Sequence, residues 1–268
     1  MHIGQRIEID LEPLMIWAEE DRYRACEVRN SLARSTFKRW CPLLLLCTFL
    51  FFPAQTYGQE TLWPTSKAAG SDAVQQGRYY EEAESLLRAA IEQAEKFGSL
   101  DPRLADSLNQ LAILYATQRK FTQAEPLFQR SLGVSVAALG PDHPDVAIVL
   151  RNMGILKASM RNYAEADVLL SRSLSLTNRA LGQEHPVVAV TMRTIAVCQA
   201  VQGHYGEAER FIRRSLEISE KTLGSEHPEV AASLDVFAQV LRTVHRDQEA
   251  HQLETRAREI RTRFAGMN

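Results

Sequence analysis

LGPDHPDVA (Leu139–Ala147), LGQEHPVVA (Leu181–Ala189) and LGSEHPEVA (Leu223–Ala231) are three versions of one phrase, each 42 residues after the last. A looser copy, FGSLDPRLA, spans Phe97–Ala105. A fixed period between about 20 and 50 residues marks a chain of stacked supersecondary units, none of which buries its apolar face alone. The phrase reads as a helix stop followed by a helix start. Gly140, Gly182 and Gly224 can take the left-handed backbone that closes a helix. Pro144, Pro186 and Pro228 suit the first turn of the next helix, where no donor is missed. Asp145 and Glu229 then place negative charge at the positive end of the helix dipole. His143, His185 and His227 invite a metal reading. Repeat-equivalent places on stacked helices lie on the order of 10 Å apart, however, whereas ligands of one ion sit about 2 Å from it. The histidines are read as structural, with no metal and no cofactor expected.

A second mark recurs between these phrases: YYEEAE (Tyr79–Glu84), KFTQAE (Lys120–Glu125), NYAEAD (Asn162–Asp167) and HYGEAE (His204–Glu209). Its alanines are Ala83, Ala124, Ala166, Ala208 and, more faintly, Ala250. The first interval is one residue shorter, which places a lost residue near Phe97. Each repeat therefore holds two helices, parted at an Arg/Gly-aromatic turn. Helix A is expected from the proline to about Gln118 and helix B from about Thr122 to Ala138, and likewise onward.

With both marks in tandem, the chain resembles tetratricopeptide-repeat proteins, of the longer-repeat kind found in kinesin light chains and many bacterial proteins. The resemblance covers about residues 77–264. Signature positions carry over as Leu108, Leu111, Ala112, Tyr115, Ala124, Phe128 and Ser131. The next copy gives Leu150, Met153, Gly154, Ala166, Leu170 and Ser173. The third gives Met192, Ile195, Ala196, Ala208, Ile212 and Ser215. Small residues at these crossings let helices approach while larger ones fill the grooves. The resemblance implies an all-α, right-handed superhelical solenoid of antiparallel helix pairs, about four units plus a partial cap. Lys157 and Gln199 stand where the family favours Tyr, so less apolar packing is expected there.

The resemblance also implies a concave face lined by helix A. The residues it places there are Asn109, Ile113 and Ala116; Ile148, Arg151, Ile155 and Ala158; Val190, Arg193, Val197 and Ala200; and Asp235, Gln239 and Arg242. Small residues at Ala116, Ala158 and Ala200 are expected to leave a groove open, with Arg151 and Arg193 above a strip of Ile113, Ile155 and Val197. Such a groove suits an extended or helical peptide with acidic and apolar side chains, because Arg pairs a carboxylate bidentately. The alternative, that the arginines only solvate the face, stays open. The family's carboxylate-clamp version needs Lys and Asn at several groove positions, and only Asn109 is so placed.

Composition agrees with a folded helical chain: 45% apolar, 24% charged, net charge −2. No basic bias points to nucleic acid. No phosphate-cradling GxxxxGK[ST], HExxH, CxxC or GxSxG occurs, so the chain is read as no enzyme. Residues 1–40 are expected to be unstructured, or to result from a start codon placed too far upstream. Residues 41–58 hold a short apolar run, Cys41–Phe52, behind Arg34, Lys38 and Arg39. That run is too short for the roughly 20 residues of a spanning helix and is laid out like a secretory signal, with a cut before Gln59. An uncleaved single membrane anchor is the alternative. Residues 59–76 read as a linker and partial capping helix, and 77–264 as the repeat domain. Of four cysteines only Cys198 lies beyond the expected cut, at a place filled elsewhere by Leu114, Leu156 and Val240, so it is a core residue. Asp247–Phe264 interleaves Arg256, Arg258, Arg261 and Arg263 with Glu249, Glu254 and Glu259, the polar ending a stack requires. The expected function is a non-catalytic scaffold that binds a protein or peptide, exported to the bacterial cell envelope, periplasmic or secreted. The alternative is a membrane-anchored or cytoplasmic adaptor that forms oligomers through the solenoid ends.

Overall fold

The computed structural model describes residues 80–265. The apolar segment, linker and capping turn expected within 1–76 lie outside the described residues. Among the described residues all regular structure is helical: α1 (Tyr80–Phe97), α2 (Pro102–Thr117), α3 (Phe121–Leu139), α4 (Pro144–Ser159), α5 (Tyr163–Leu181), α6 (Pro186–Val201), α7 (Tyr205–Leu223), α8 (Pro228–Thr243) and α9 (Asp247–Ala265). Helices A and B thus begin and end within a residue or so of the expected places. The chain divides into two compact units, one ending at Ala138 and one running on from Leu139.

In the first unit α2 and α3 form an antiparallel hairpin beside α1. Ser131 Oγ donates to the Ala105 carbonyl at 2.6 Å, tying the middle of α3 to the start of α2. Tyr115 Oη donates to Glu84 at 2.7 Å and accepts from Arg88 at 2.8 Å, which joins the end of α2 to α1.

In the second unit the hairpins α4–α5, α6–α7 and α8–α9 stack in series. Ser173 and Ser215 repeat the tie made by Ser131, donating to the carbonyls of Ala147 and Ala189 at 2.7 Å each. A buried hydroxyl must find a partner, and here the partner is always the neighbouring helix backbone. Gly154 lets α4 and α5 cross closely: a Cβ there would meet Leu170 Cγ at 2.7 Å. Leu170 also joins Ala158, Ala166, Ile195 and Cys198 in one core cluster, so α5 seats α6, the A helix of the following repeat. In α9 the residue equivalent to Leu170 and Ile212 is Glu254, and Ala257 stands where Ser131, Ser173 and Ser215 do.

Two turns set the hairpin geometry. Between helices A and B the residue with positive φ is Arg119 (58°), Arg161 (62°), Gly203 (87°) and His245 (60°), one per repeat. The amide after it bonds five residues back, as Lys120 N–H does to the Tyr115 carbonyl at 2.8 Å, while Arg119 N–H bonds Ala116. This is a Schellman closure, made with a non-glycine residue in three repeats of four. The end of helix B differs from expectation. Gly182 and Gly224 have φ 87° and 91° but ψ 157° and 153°. That is the extended, glycine-only region rather than the left-handed helical one. Each glycine keeps the last α-helical bond, to the carbonyls of Asn178 and Glu220, and swings the chain out.

Candidate functional site

Asn109, Arg151, Arg193 and Asp235 share one register of helix A, 42 residues apart, and Ile113, Ile155 and Val197 follow one turn later. In the first unit Asn109 and Ile113 are both buried. In the second, Arg151 and Arg193 are each 1% exposed, with Ile155 and Val197 equally enclosed. Arg193 Nη1 meets Glu229 Oε2 at 2.7 Å, a buried ion pair from α6 to the first turn of α8. A charge inside a helical stack is costly unless paired and hydrogen-bonded, so Glu229 is what holds this guanidinium in place. The last repeat spends its two charges on its own hairpin. Asp235 pairs with Arg261, and Arg242 forms a two-pronged bond to Glu254 at 2.8 and 2.7 Å. Arg242 holds the Glu254 carboxyl below its usual range.

The expectation of an open trough walled by small residues needs correction. Ala158 sits in the core with Leu170 and Cys198, and Ala200 packs against Ala208 and Val240. These alanines let helices A and B touch, so they close space rather than leave it. The two departures from the family's Tyr are polar ties: Lys157 pairs with Glu165 at 3.1 Å, and Gln199 donates to Asp167 at 3.1 Å.

Three features went unread in the sequence. The histidines are helix caps: Nδ1 of His143, His185 and His227 accepts the amide two residues on, at 3.1, 3.2 and 3.2 Å. Asp101 does the same for Arg103 at 2.8 Å, and Arg103 holds the Asp101 carboxyl below its ordinary value. Burial alone lowers the pKa of His185, favouring the neutral, accepting ring. Second, the acid before each histidine pairs with the end of helix B: Asp142 with Arg179 at 2.8 Å, Glu184 with Lys221 at 3.1 Å, Glu226 with Arg263 at 2.7 Å. Third, the acid closing the second mark joins successive repeats, as Asp167 does to Gln199 and Gln202 and Glu209 to Arg246. All three were visible as repeated residue types, but only the fold shows what each faces.

Between α5, α6 and α7 lies a cavity of about 450 Å³. Leu170, Leu174, Ile195 and Phe211 form its floor, with Asp167, Ser171, Ser175 and Asn178 along α5. Cys198 beneath it is buried, and that burial, with the nearby Asp167 charge, pushes its thiol up to about 12, so it is no nucleophile. Among the described residues no group of three or more His, Cys, Asp or Glu is placed to hold a metal ion. No described helix is long and apolar enough to cross a membrane.

Comparison with known proteins bears on the fold. The tetratricopeptide-repeat family model matches four overlapping stretches, 64–135, 103–176, 145–221 and 200–263. No curated protein matches the sequence. Among solved structures the chain is similar to a Podosopora anserina protein assigned as a kinesin light chain with nearly identical TPR-like repeats. The two are 24% identical with a TM-score of 0.59, covering 77% of this chain and 97% of that one. It is also similar to BtubC from P. vanneervenii, at 20% identity and TM-score 0.64, covering 97% and 94%. PilF of Pseudomonas aeruginosa gives 19% identity and TM-score 0.51, covering 75% and 78%. At these identities the structures speak for the fold alone. Paired helices that meet at small residues such as Gly154, Ala158 and Ala200, and family matches from residue 64 to 263, lead to one conclusion: the chain belongs to the tetratricopeptide-repeat family.

Proposed function

We propose that this protein is a non-catalytic interaction scaffold that captures a protein or peptide on its A helices, in the bacterial cell envelope. Tetratricopeptide repeats are protein-interaction modules, and that much follows from the family. The observation that carries the finer reading is the register Asn109, Arg151, Arg193, Asp235. Packing alone would place apolar residues there, as it does one turn on at Ile155 and Val197. We read this register as the recognition feature, since arginine among aliphatics suits a partner with acidic and apolar side chains, and such a partner has to take the place of Glu229 to reach Arg193. Export rests on the basic-flanked apolar run before Gln59.

Simple charge reversal at Arg193 would set two carboxylates together in the core. The informative variant is the swap Arg193→Glu with Glu229→Arg, which keeps the pair and inverts its direction. The swap is expected to lose crosslinked partners from the native cell while melting within a few degrees of the parent. Unchanged capture by that variant refutes the A-helix reading. N-terminal sequencing of the mature protein tests export, with Gln59 as the expected first residue; an intact leader in a soluble cell fraction refutes it.

A further inference from the structure

The cavity between α5, α6 and α7 has a counterpart one repeat later, and the difference between them says what the cavity holds. Adding 42 turns Asp167 into Glu209, Ser171 into Arg213, Leu174 into Leu216 and Ile195 into Phe237. In the later repeat the chain fills the place itself. The Arg213 guanidinium lies 4.8 Å from the centroid of the Phe237 ring and bonds to Glu209. The first repeat does likewise, with Arg88 on Glu84 at 2.9 Å, while α3 has Gln129 and α9 Thr255 at this place. At the α5 site that arginine is replaced by Ser171. Asp167 there is met by neutral amides, Gln199 Nε2 and Gln202 Nε2, both at 3.1 Å, and by no cation among the described residues. Arg179, at the far end of the cavity, is already paired with Asp142. What remains is an apolar floor, a carboxylate lacking its counter-charge, and a void within the range of about 300–1,000 Å³ typical of ligand sites.

We propose that the α5–α6–α7 cavity is a socket for an arginine side chain donated by a partner protein. The arginine stem lies on Leu170, Leu174 and Ile195, its planar head faces Phe211, and its N–H groups bond Asp167, as Arg213 bonds Glu209 within the chain. The occupant is a segment and not a lone amino acid. Asn178 Oδ1, also on the lining, is a buried acceptor with no hydrogen bond, and it lies eleven residues along α5 from Asp167. At about 1.5 Å per residue that is beyond one side chain, so a second donor from the same segment must reach it. The proposal rests on the scaffold reading only in that the arginine comes from another protein. It uses none of the A-helix register.

The test is fluorescence anisotropy with a short labelled peptide carrying one arginine among leucines, and its twin with citrulline, which has the same shape without the charge. The arginine peptide is expected to bind about tenfold or more tighter, the scale of one charge-assisted hydrogen bond. Asp167→Asn should bring it down to the citrulline level. Ser171 is exposed, so Ser171→Arg tests the site without disturbing the core; it should fill the socket from within, as Arg213 does, and abolish binding. Equal affinity for the two peptides, failure of both to bind, or full binding to the Ser171→Arg variant overturns the socket. Free arginine binding as tightly as the peptide overturns the partner segment. The Arg193/Glu229 swap should retain the arginine peptide, so failure of the A-helix reading and failure of the socket are told apart.

Discussion

Mild acid should weaken this fold through its His185 cap, and the chain contains its own control. Each of His143, His185 and His227 accepts a backbone amide on Nδ1 at 3.1–3.2 Å, which a ring protonated on both nitrogens cannot do. Burial depresses the folded-state pKa of His185 below the unfolded value. Its contribution is therefore fully present above about pH 6.5 and is lost as pH falls through that value toward the folded pKa. A lost cap costs about 1 kcal/mol, and a cation at a helix N-terminus adds a little more. For His185 that comes to roughly 2–4 °C in melting temperature for a chain of this size. Val187 stands two residues on from His185, so a protonated ring gains no carboxylate there. Asp101 caps α2 in the same geometry with a group still ionised at pH 5. Thermal unfolding followed by circular dichroism from about pH 7.5 to about pH 5 should show the fall in the parent and a smaller one in the His185→Asp variant. An undiminished acid sensitivity in His185→Asp refutes the reasoning.

Glycine exchanges at the two turn types should have opposite signs. Gly182→Ala meets no atom within 4 Å but is held at φ 87°, so it should cost about 1–3 kcal/mol by urea unfolding. Arg161→Gly relieves a left-handed residue at φ 62° and should gain up to about 1 kcal/mol, after the added freedom of the unfolded chain is counted. Glu229→Ala removes the acid that Arg193 meets at 2.7 Å and should cost about 3–5 kcal/mol, while adding Arg193→Met should restore most of it.

The repeat period, the hairpins and the crossing residues were legible because they are written in residue size. Gly154 and Ala166 stand where helices touch, and Leu170 and Phe128 stand where a groove needs filling, so sterics alone read them. The helix-B glycines were legible as stops but not in their ψ, because glycine declares freedom and not which conformation is used. The A-to-B turn was legible in place, as the Arg/Gly-aromatic break, but not in its left-handed backbone, since Arg119, Arg161 and His245 occupy a place where only Gly203 advertises it. Polar partners were least legible. Arg193 could be placed on helix A by counting, yet Glu229, 36 residues away, becomes its partner only once α6 and α8 lie side by side. The cavity was invisible because a void is set by what neighbouring helices leave unfilled, and at Ser171 that shows only beside the longer Arg88 and Arg213.

The last helix has a bearing on how such a chain can grow. Glu254 stands where α5 and α7 offer Leu170 and Ile212 to an incoming helix, and Arg256 and Arg263 are tied back to Glu220 and Glu226. A helix stacked on α9 would meet the Glu254 carboxylate, held by Arg242, where α6 meets Leu170. A 42-residue unit spliced in ahead of α8 keeps an apolar seat at that place, so an engineer lengthening the stack would insert there.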